Sequence, residues 1–377
     1  MIDREFWRQR LQRVWTHAPI VWLAGVRRIG KTTLARSLPA EDCLFLNCDS
    51  PRVAQSVADP EFFYSQVRRP IVVFDEIHQL PDPARVLKIA ADEFPKLKVL
   101  ATGSSTLAAA RKFRDALTGR KRTVSLRPVL HSELVAFGNP PLEHRLVRGG
   151  LPSILLADRS DPEFYSEWLD SHFARDVQEL FGVAKRASYL ALLQILLRQS
   201  GGLLDVTRLA RDTGLSRPTA MHYLEVAETT LTVRLVRPYH AGKAREWTHQ
   251  PKAYTFDTGF ICHARGWDHL RPEDCGGLWE HLVLDTLLSV EDPARVRFWR
   301  DHQQREVDFV VPRMREVVDA YECKWSALQP ETRNLRAFRA AYPAGRNFVV
   351  VPQLADPTPL ELDGLRIELV SPIHLMG

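Results

Sequence analysis

The stretch that most limits what this chain can fold into is PIVWLAGVRRIGKTTLARSLP, from Pro19 to Pro39. An apolar run, VWLAGV, leads into Gly25-Val-Arg-Arg-Ile-Gly30-Lys31-Thr32, and a helical pattern then stops near Pro39. The spacing GxxxxGK[ST] between a strand and a helix is the context that a phosphate-cradling loop requires. Its glycines let backbone N–H groups approach an anion, and the helix that begins there contributes the positive end of its dipole.

The expected ATP-binding residues are therefore Gly25, Arg27, Arg28, Ile29, Gly30, Lys31, Thr32 and Thr33. Lys31 would reach the β- and γ-phosphates, and the Thr32 hydroxyl would ligate Mg²⁺. A second run, IVVF, delivers Asp75 and Glu76 at its C-terminal end, where parallel sheets place their ligands. Asp75 suits the Mg²⁺ shell, and Glu76 suits the base that orients an attacking water.

A third run, LKVLATGSS, ends in Thr102, Gly103, Ser104 and Ser105. Lying between the two motif strands, it would carry a γ-phosphate sensor, with Ser104 the best single candidate; a polar turn before the helix TLAAARKFRDAL accounts for the same residues. Arg120, in LTGRKR, could act on a neighbouring subunit's nucleotide as an arginine finger, or face solvent or DNA. With LFLNCD (44–49) and RTVSL (122–126), these runs give a five-stranded parallel sheet with crossover helices, the core of a P-loop ATPase.

At 377 residues the chain exceeds one hydrophobic core, and 45% hydrophobic with 26% charged residues is a globular composition. No apolar run approaches the roughly 20 residues that cross a bilayer. The charged N-terminus, MIDREFWRQRLQRVW, has no signal-peptide core, so the expected location is cytoplasmic. The five cysteines, Cys43, Cys48, Cys262, Cys275 and Cys323, form no CxxC pair, which favours reduced thiols. Net charge is +5, but Arg111, Lys112, Arg114, Arg120, Lys121, Arg122 and Arg127 crowd together against one acid, Asp115. They make either an anion-binding surface for DNA or a solvated helix face with its loop.

From Asp161 to Gln199 the pattern is helical, with Phe164, Trp168, Phe173, Val177 and Leu180 as a packing stripe. In LLDVTRLARDTGLSRPTAMHYL, Thr207 or Asp205 can cap one helix and Ser216 a second with Pro218 in its first turn. Ala210, Leu215, Ala220 and Leu224 would fill the seam. Followed by the strand-like LTVRLVRPY, this predicts a winged-helix module. Arg217 and His222 on its second helix could touch DNA; Glu225 and Glu228 oppose phosphates, and the module could instead pack against protein.

Near the C-terminus come the amphipathic helix GGLWEHLVLDTLLSV, which carries Glu280, a strand VRFW, then VDFVV with Asp308 and VVDAYEC with Glu322, two residues before Lys324. Asp308 and Glu322 would converge from adjacent strands on a divalent metal, with Glu280 completing the shell and Lys324 stabilising a phosphodiester transition state. A surface hairpin with a salt bridge is the plainer reading of the same residues.

The whole chain resembles the AAA-type ATPases that carry a C-terminal domain of unassigned function, a widespread prokaryotic family. The match runs over about residues 15 to 350, through GVRRIGKTTL, VVFDEIHQLP, LATGSS, LTGR, RGGLP (148–152), LSRPTAMHYL, PKAYTFDTG and WRDHQQREVDFVV with ECKW. The resemblance implies an ATPase core like that of archaeal helicase-type and STAND-related proteins, then a winged helix and a fold similar to the PD-(D/E)xK nucleases. It also implies a homo-oligomer, a ring of hexameric form. Many relatives lose part of the nuclease motif, whereas Glu280, Asp308, Glu322 and Lys324 are all present here; Val307 stands where a proline would precede the Asp.

The expected fold class is α/β: a P-loop ASCE/AAA-type parallel sheet (1–150), an α-helical winged-helix domain (151–245) and an α/β restriction-endonuclease-like domain (246–377). The expected function is an ATP-driven DNA motor with a metal-dependent nuclease-like domain, acting on duplex or branched DNA in repair or recombination. Its cofactors would be ATP and Mg²⁺, with Mn²⁺ an option at the nuclease-like site. The other reading is an ATP-dependent switch or scaffold whose C-terminal domain only binds. A peptide-remodelling role lacks an obvious aromatic pore loop.

Overall fold

The computed structural model describes residues 2–103, 111–159, 161–178, 181–183, 185–240, 250–314, 316–326 and 331–376, without the side chains of Arg111, Lys112 and Arg114. Packing divides the chain into two compact units. One comprises Met1–Arg127, Ser166–Ala184 and Thr229–Thr232, and the other comprises Pro128–Tyr165, Lys185–Glu228 and Val233–Gly377. By contacts, then, the chain groups differently from the divisions at 150 and 245 read from sequence.

The first unit is built on a parallel sheet of β1 (Ile20–Ala24), β2 (Cys43–Asn47), β3 (Ile71–Asp75), β4 (Lys98–Thr102) and β5 (Lys121–Ser125), in the order β2-β3-β4-β1-β5. β1 and β3 are buried along their whole length, which is why both read as unbroken apolar runs, while the edge strand β2 is only half-buried. Trp22 packs edge-to-face on Phe113 at 5.2 Å within a core that includes Val72, Phe74 and Leu87. The helix Glu5–Trp15 buries Trp7, Leu11 and Trp15, and the Trp15 indole donates to the Val99 carbonyl at 3.1 Å.

The single helical pattern expected over 161–199 is interrupted. Helix Pro162–His172 continues as a π-helical segment, Phe173–Gln178, and a new helix starts at Arg186. Gly182, at φ 62°, supplies a left-handed backbone between them that a helix interior does not tolerate. Phe164, Trp168, Phe173 and Val177 are buried, and Leu180 lies outside the described residues.

The second unit opens its helical part with Arg186–Arg198, Val206–Asp212 and Arg217–Thr229 beside a small antiparallel sheet. That sheet has β6 (Gly202–Leu203), β7 (Val233–Val236) and β8 (Lys252–Thr255), in the order β6-β8-β7. Of the two proposed caps, Asp205 does the work, accepting from the Thr207 and Arg208 amides at 2.9 and 3.0 Å. Ser216 accepts from the Thr219 amide at 3.3 Å, and Ala210, Leu215, Ala220 and Leu224 are all buried in the seam.

Its larger sheet has β9 (Arg297–Arg300), β10 (Glu306–Met314), β11 (Val317–Cys323), β12 (Asn347–Val350), β13 (Thr358–Leu362) and β14 (Leu365–Val370), ordered β13-β14-β12-β11-β10-β9. β9, β10 and β11 are antiparallel neighbours, and β11, β12 and β14 run parallel. Trp299, Val307, Val310, Val318, Leu335 and Phe338 form its core. Helix Pro272–Val290 buries Trp279, Leu282, Val283, Thr286 and Leu287 as its periodicity predicts, but also Leu278, His281, Leu284, Leu288 and Ser289, so it is enclosed nearly all round and not amphipathic.

Two of the family-like motifs are structural. The buried Asp257 carboxylate, in PKAYTFDTG, accepts from the amides of Gly150 at 2.6 Å and Gly259 at 2.9 Å. Arg145 donates to the Val129 carbonyl at 2.9 Å and the Thr258 hydroxyl at 3.0 Å. RGGLP needs its glycines for this approach: a Cβ on Gly149, at φ 82°, would lie 1.9 Å from Asp257 Oδ1. A Cβ on Gly259 would lie 2.3 Å from the Arg148 carbonyl oxygen, an atom that cannot swing aside. Gly259→Ala is expected to cost about 1–3 kcal/mol, seen as a lower urea midpoint; an unchanged midpoint would contradict this packing.

Candidate functional site

The nucleotide loop leaves β1 in a conformation set by Gly25 at φ 153°, Arg28 at φ 60° and Gly30 at φ 96°. A Cβ on Gly25 would press on Ile29 Cγ2 at 3.0 Å and the Leu126 carbonyl at 3.1 Å, so glycine is needed for space as well as for φ. The loop ends in helix Lys31–Arg36, which presents Thr32 and Thr33 in its first turn. Lys31 Nζ turns back over the loop and donates to the carbonyls of Gly25 at 2.9 Å and Val26 at 3.2 Å. Desolvation lowers the pKa of this ammonium, against the opposing charges of Glu76, Asp176 and Asp75.

Thr32 Oγ1 donates to the Asp75 carboxylate at 2.9 Å. Asp75 is buried at the end of β3, and its Oδ1 also accepts from the Thr102 hydroxyl at 2.7 Å. Thr102 in turn accepts from the Glu76 amide at 3.0 Å. Glu76 holds φ 55°, a left-handed conformation that is strained for a residue with a side chain, and its carboxylate meets His78 Nδ1 at 3.2 Å.

Thr102 is thus the hydroxyl of the third strand that the sequence did not single out, while Ser104, the residue chosen, lies outside the described residues. Arg4 was also missed. It is buried and donates to the carbonyls of Ile29 at 3.3 Å and Arg127 at 3.0 Å, bracing the loop from behind.

Arg120 precedes β5, at the end of the strands opposite the loop, and its Nε and Nη2 both donate to the Asp92 carboxylate, at 2.5 and 3.1 Å. Arg122 is exposed, and the Lys121 ammonium stands 5.5 Å from the Phe113 ring centroid. Arg111, Lys112 and Arg114 fall on helix Arg111–Ala116, with side chains outside the described residues.

In the second unit, the β10–β11 register pairs Phe309 with Tyr321, which sets Asp308 opposite Glu322 on one face of the sheet. Asp308 Oδ2 accepts from the Cys323 amide at 2.7 Å. Glu322 is 2% exposed; its Oε2 pairs with Lys324 Nζ at 3.3 Å, and its buried Oε1 has no hydrogen-bond partner among the described residues. Glu280, from helix Pro272–Val290, accepts from Lys252 Nζ at 3.0 Å and from the Tyr254 hydroxyl. The same ammonium pairs with Glu306 at 2.6 Å. Burial and then the neighbouring Asp308 hold Glu322 well above the usual carboxylate range and push Glu280 up to about 7; burial also raises Asp308.

Both readings of this hairpin need correction. The Glu322–Lys324 ion pair exists, but only its lysine reaches solvent, at 32% side-chain exposure against 3% for the glutamate. Nor do Glu280, Asp308 and Glu322 form a ready metal shell: among the described residues, no three carboxylate, imidazole or thiol groups stand close enough to share an ion. Lys252 and Tyr254 draw Glu280 aside, and the Cys323 amide holds Asp308. Lys252 and Glu306 gave no sequence signal, because β8 and β10 lie more than fifty positions apart in the chain. The oxygen-only donors nonetheless suit Mg²⁺ or Mn²⁺, and the unpartnered Glu322 Oε1 is the atom a cation would satisfy.

On helix Arg217–Thr229, Arg217 and His222 are exposed. Glu225 is exposed beside them, but Glu228 turns to accept from the Leu235 amide at 3.3 Å, which removes one of the two acids that weighed against phosphate.

Residues 17–135 match the AAA domain family. Together with the Lys31, Thr32 and Asp75 arrangement, this makes the N-terminal part of the chain an AAA-type P-loop ATPase domain. Residues 139–271 and 275–367 match two domains of unknown function, DUF8612 and DUF4143. The uncharacterized proteins Rv2008c of Mycobacterium tuberculosis and Mb2031c of Mycobacterium bovis are each 28% identical over 322 residues, covering 82% of this chain and 71% of theirs. Among solved structures, the Walker-type ATPase PABY2304 of Pyrococcus abyssi is similar at 16% identity and a TM-score of 0.47, covering 70% of this chain and 96% of that one. No helix among the described residues is long and apolar enough to cross a membrane.

Two outcomes follow from these sites. Thr102→Val removes a donor to Asp75 and the acceptor of the Glu76 amide, and should cost about 1–3 kcal/mol of stability and lower ATP turnover of the folded variant roughly tenfold; full turnover would show that the contact is idle. Glu280 has a folded pKa near 7 against an ordinary 4.5, so the folded state holds that proton more tightly and its contribution to stability falls as pH rises through this window. Glu280→Gln should therefore gain stability relative to wild type between pH 5 and 7.5, read from urea midpoints. A difference independent of pH would contradict the assignment.

Proposed function

We propose that this protein is an ATP-driven DNA motor whose C-terminal domain is a metal-dependent nuclease of the PD-(D/E)xK kind, working as a homo-oligomer on duplex or branched DNA. The observation that carries the reading is the face shared by Asp308 and Glu322, with Lys324 beside them and one buried Glu322 oxygen lacking a partner. The element order around it supports the same reading: a helix bearing Glu280, three antiparallel strands, a helix, then a parallel strand.

The order helix, short strand, two helices and two strands over Arg186–Thr255 supports a winged helix, with Arg217 and His222 turned to solvent where a phosphate could meet them. The basic residues Arg111, Lys112, Arg114, Lys121 and Arg122 would add phosphate contacts.

At the ATPase site, Lys31 would hold the β- and γ-phosphates and Glu76 would orient the attacking water. Thr32 and Asp75, which hydrogen-bond to each other, would hold Mg²⁺, which neutralises phosphate charge when bound. Ser104 as sensor and Arg120 as a finger acting in trans belong to the same proposal; Arg120 would have to leave Asp92 to act. In the nuclease-like domain, Asp308 and Glu322 would hold the cation, Glu280 would have to leave Lys252 and Tyr254 to join them, and Lys324 would face the developing charge.

One observation favours a second reading. Lys252 already balances Glu280 and Glu306 without a metal, as expected of a binding module in an ATP-dependent switch or scaffold. Incubating labelled linear and four-way-branched DNA with Mg²⁺ or Mn²⁺, with and without ATP, separates the two. The motor-nuclease reading expects cutting by wild type and its loss in Asp308→Ala; DNA left intact by wild type in both metals leaves the binding module.

A further inference from the structure

The nucleotide loop is gripped by a segment that lies well beyond the matched AAA residues. Ser166–Ala184 packs with the first unit although the family match ends at 135. Within it, the Trp168 indole donates to the Arg27 carbonyl at 3.1 Å, and Asp176 Oδ2 accepts from Arg27 Nε at 2.8 Å. His172, buried at 2% exposure, brings Nδ1 to 3.3 Å from the same Asp176 oxygen and stacks on Trp168 at 5.2 Å. One loop residue is therefore held by both its backbone and its side chain.

The path of the chain fits this use. His172 ends an α-helical stretch, and Asp176 sits in the π-helical turn Phe173–Gln178. Such turns are rare and occur mostly where a function rewards the altered spacing. Val26, whose carbonyl accepts from Lys31, immediately precedes Arg27, so two of the loop's three cations are held by neighbouring groups, Lys31 by carbonyls and Arg27 by a carboxylate. A triphosphate offers both a stronger acceptor than either.

We propose that Asp176 is a positioning residue of the ATPase site: it withholds the Arg27 guanidinium, which the terminal phosphate of a nucleoside triphosphate must win from it. Arg27 then carries discrimination between tri- and diphosphate, and Asp176 sets its strength. Nothing in this requires the nuclease reading; it rests only on the ATPase assignment of the first domain.

The test is the affinity of the full chain for ATP and for ADP, by calorimetry under non-hydrolysing conditions, in wild type, Asp176→Asn, Arg27→Ala and the double variant. Asp176→Asn is expected to raise the ATP-to-ADP affinity ratio roughly three- to tenfold, and the rise should vanish when Arg27 is Ala. Asp176→Glu, which keeps the carboxylate, should restore a ratio near wild type. A purely structural role would weaken both nucleotides alike and leave the ratio unmoved. A ratio that is unchanged or lower in Asp176→Asn, or that rises equally without Arg27, overturns the proposal. If wild type binds neither nucleotide, the ATPase assignment itself fails, which is a different result.

Discussion

The nucleotide end of the first unit depends on one carboxylate. Asp75 is buried at the C-terminal end of β3, where an unpaired negative charge would cost several kcal/mol. Two hydroxyls pair with it: Thr32 from the loop helix and Thr102 from β4. Both are available only because the sheet runs β3-β4-β1, so that the strand ending in Thr102 sits between the strand ending in Asp75 and the one feeding the loop. The strand order and the site are thus one constraint. A different order would leave Asp75 without Thr102, and the Glu76 amide without its acceptor.

The second unit meets the same difficulty with more charge. Glu280, Glu306, Asp308 and Glu322 gather around β10 and β11, and the chain answers with Lys252, Lys324, a tyrosine hydroxyl and a backbone amide. The compensation is incomplete at Glu322 Oε1. A cluster kept only for stability gains little from a buried oxygen without a partner, because apolar side chains of similar size would cost less. That residual deficit leaves one oxygen that an added donor or a cation would satisfy.

Much of this was legible in the sequence for a physical reason. The loop, the Asp75 strand and the sheet itself are written in contiguous residues, because a buried parallel strand must be an apolar run and a phosphate loop must be glycine-spaced. That Asp308 and Glu322 lie on adjacent strands was legible too, but their facing was not: a bulge between Pro312 and Met314 shifts the register from Met314–Val317 to Pro312–Val318 and so sets Asp308 opposite Glu322. What escaped came from far along the chain. Asp176 meets Arg27 across 149 positions, Arg4 meets Arg127 across 123, and Lys252 meets Glu280 across 28 and through another sheet. Periodicity carries no record of such pairings. The helical pattern read over 161–199 concealed a break: Phe164, Trp168, Phe173 and Val177 are buried as a stripe, but Gly182 in the left-handed region separates the helices.

A DNA motor differs from a nucleotide switch in whether DNA changes ATP turnover. The most direct measurement is steady-state hydrolysis by the full chain, titrated with duplex DNA at low and at moderate salt, with Lys31→Ala as the background. A motor predicts a rate that climbs with DNA, weakens as salt rises because the contacts are to phosphates, and falls to background in Lys31→Ala. A rate that Lys31→Ala abolishes but that DNA leaves unchanged at every salt concentration would contradict it.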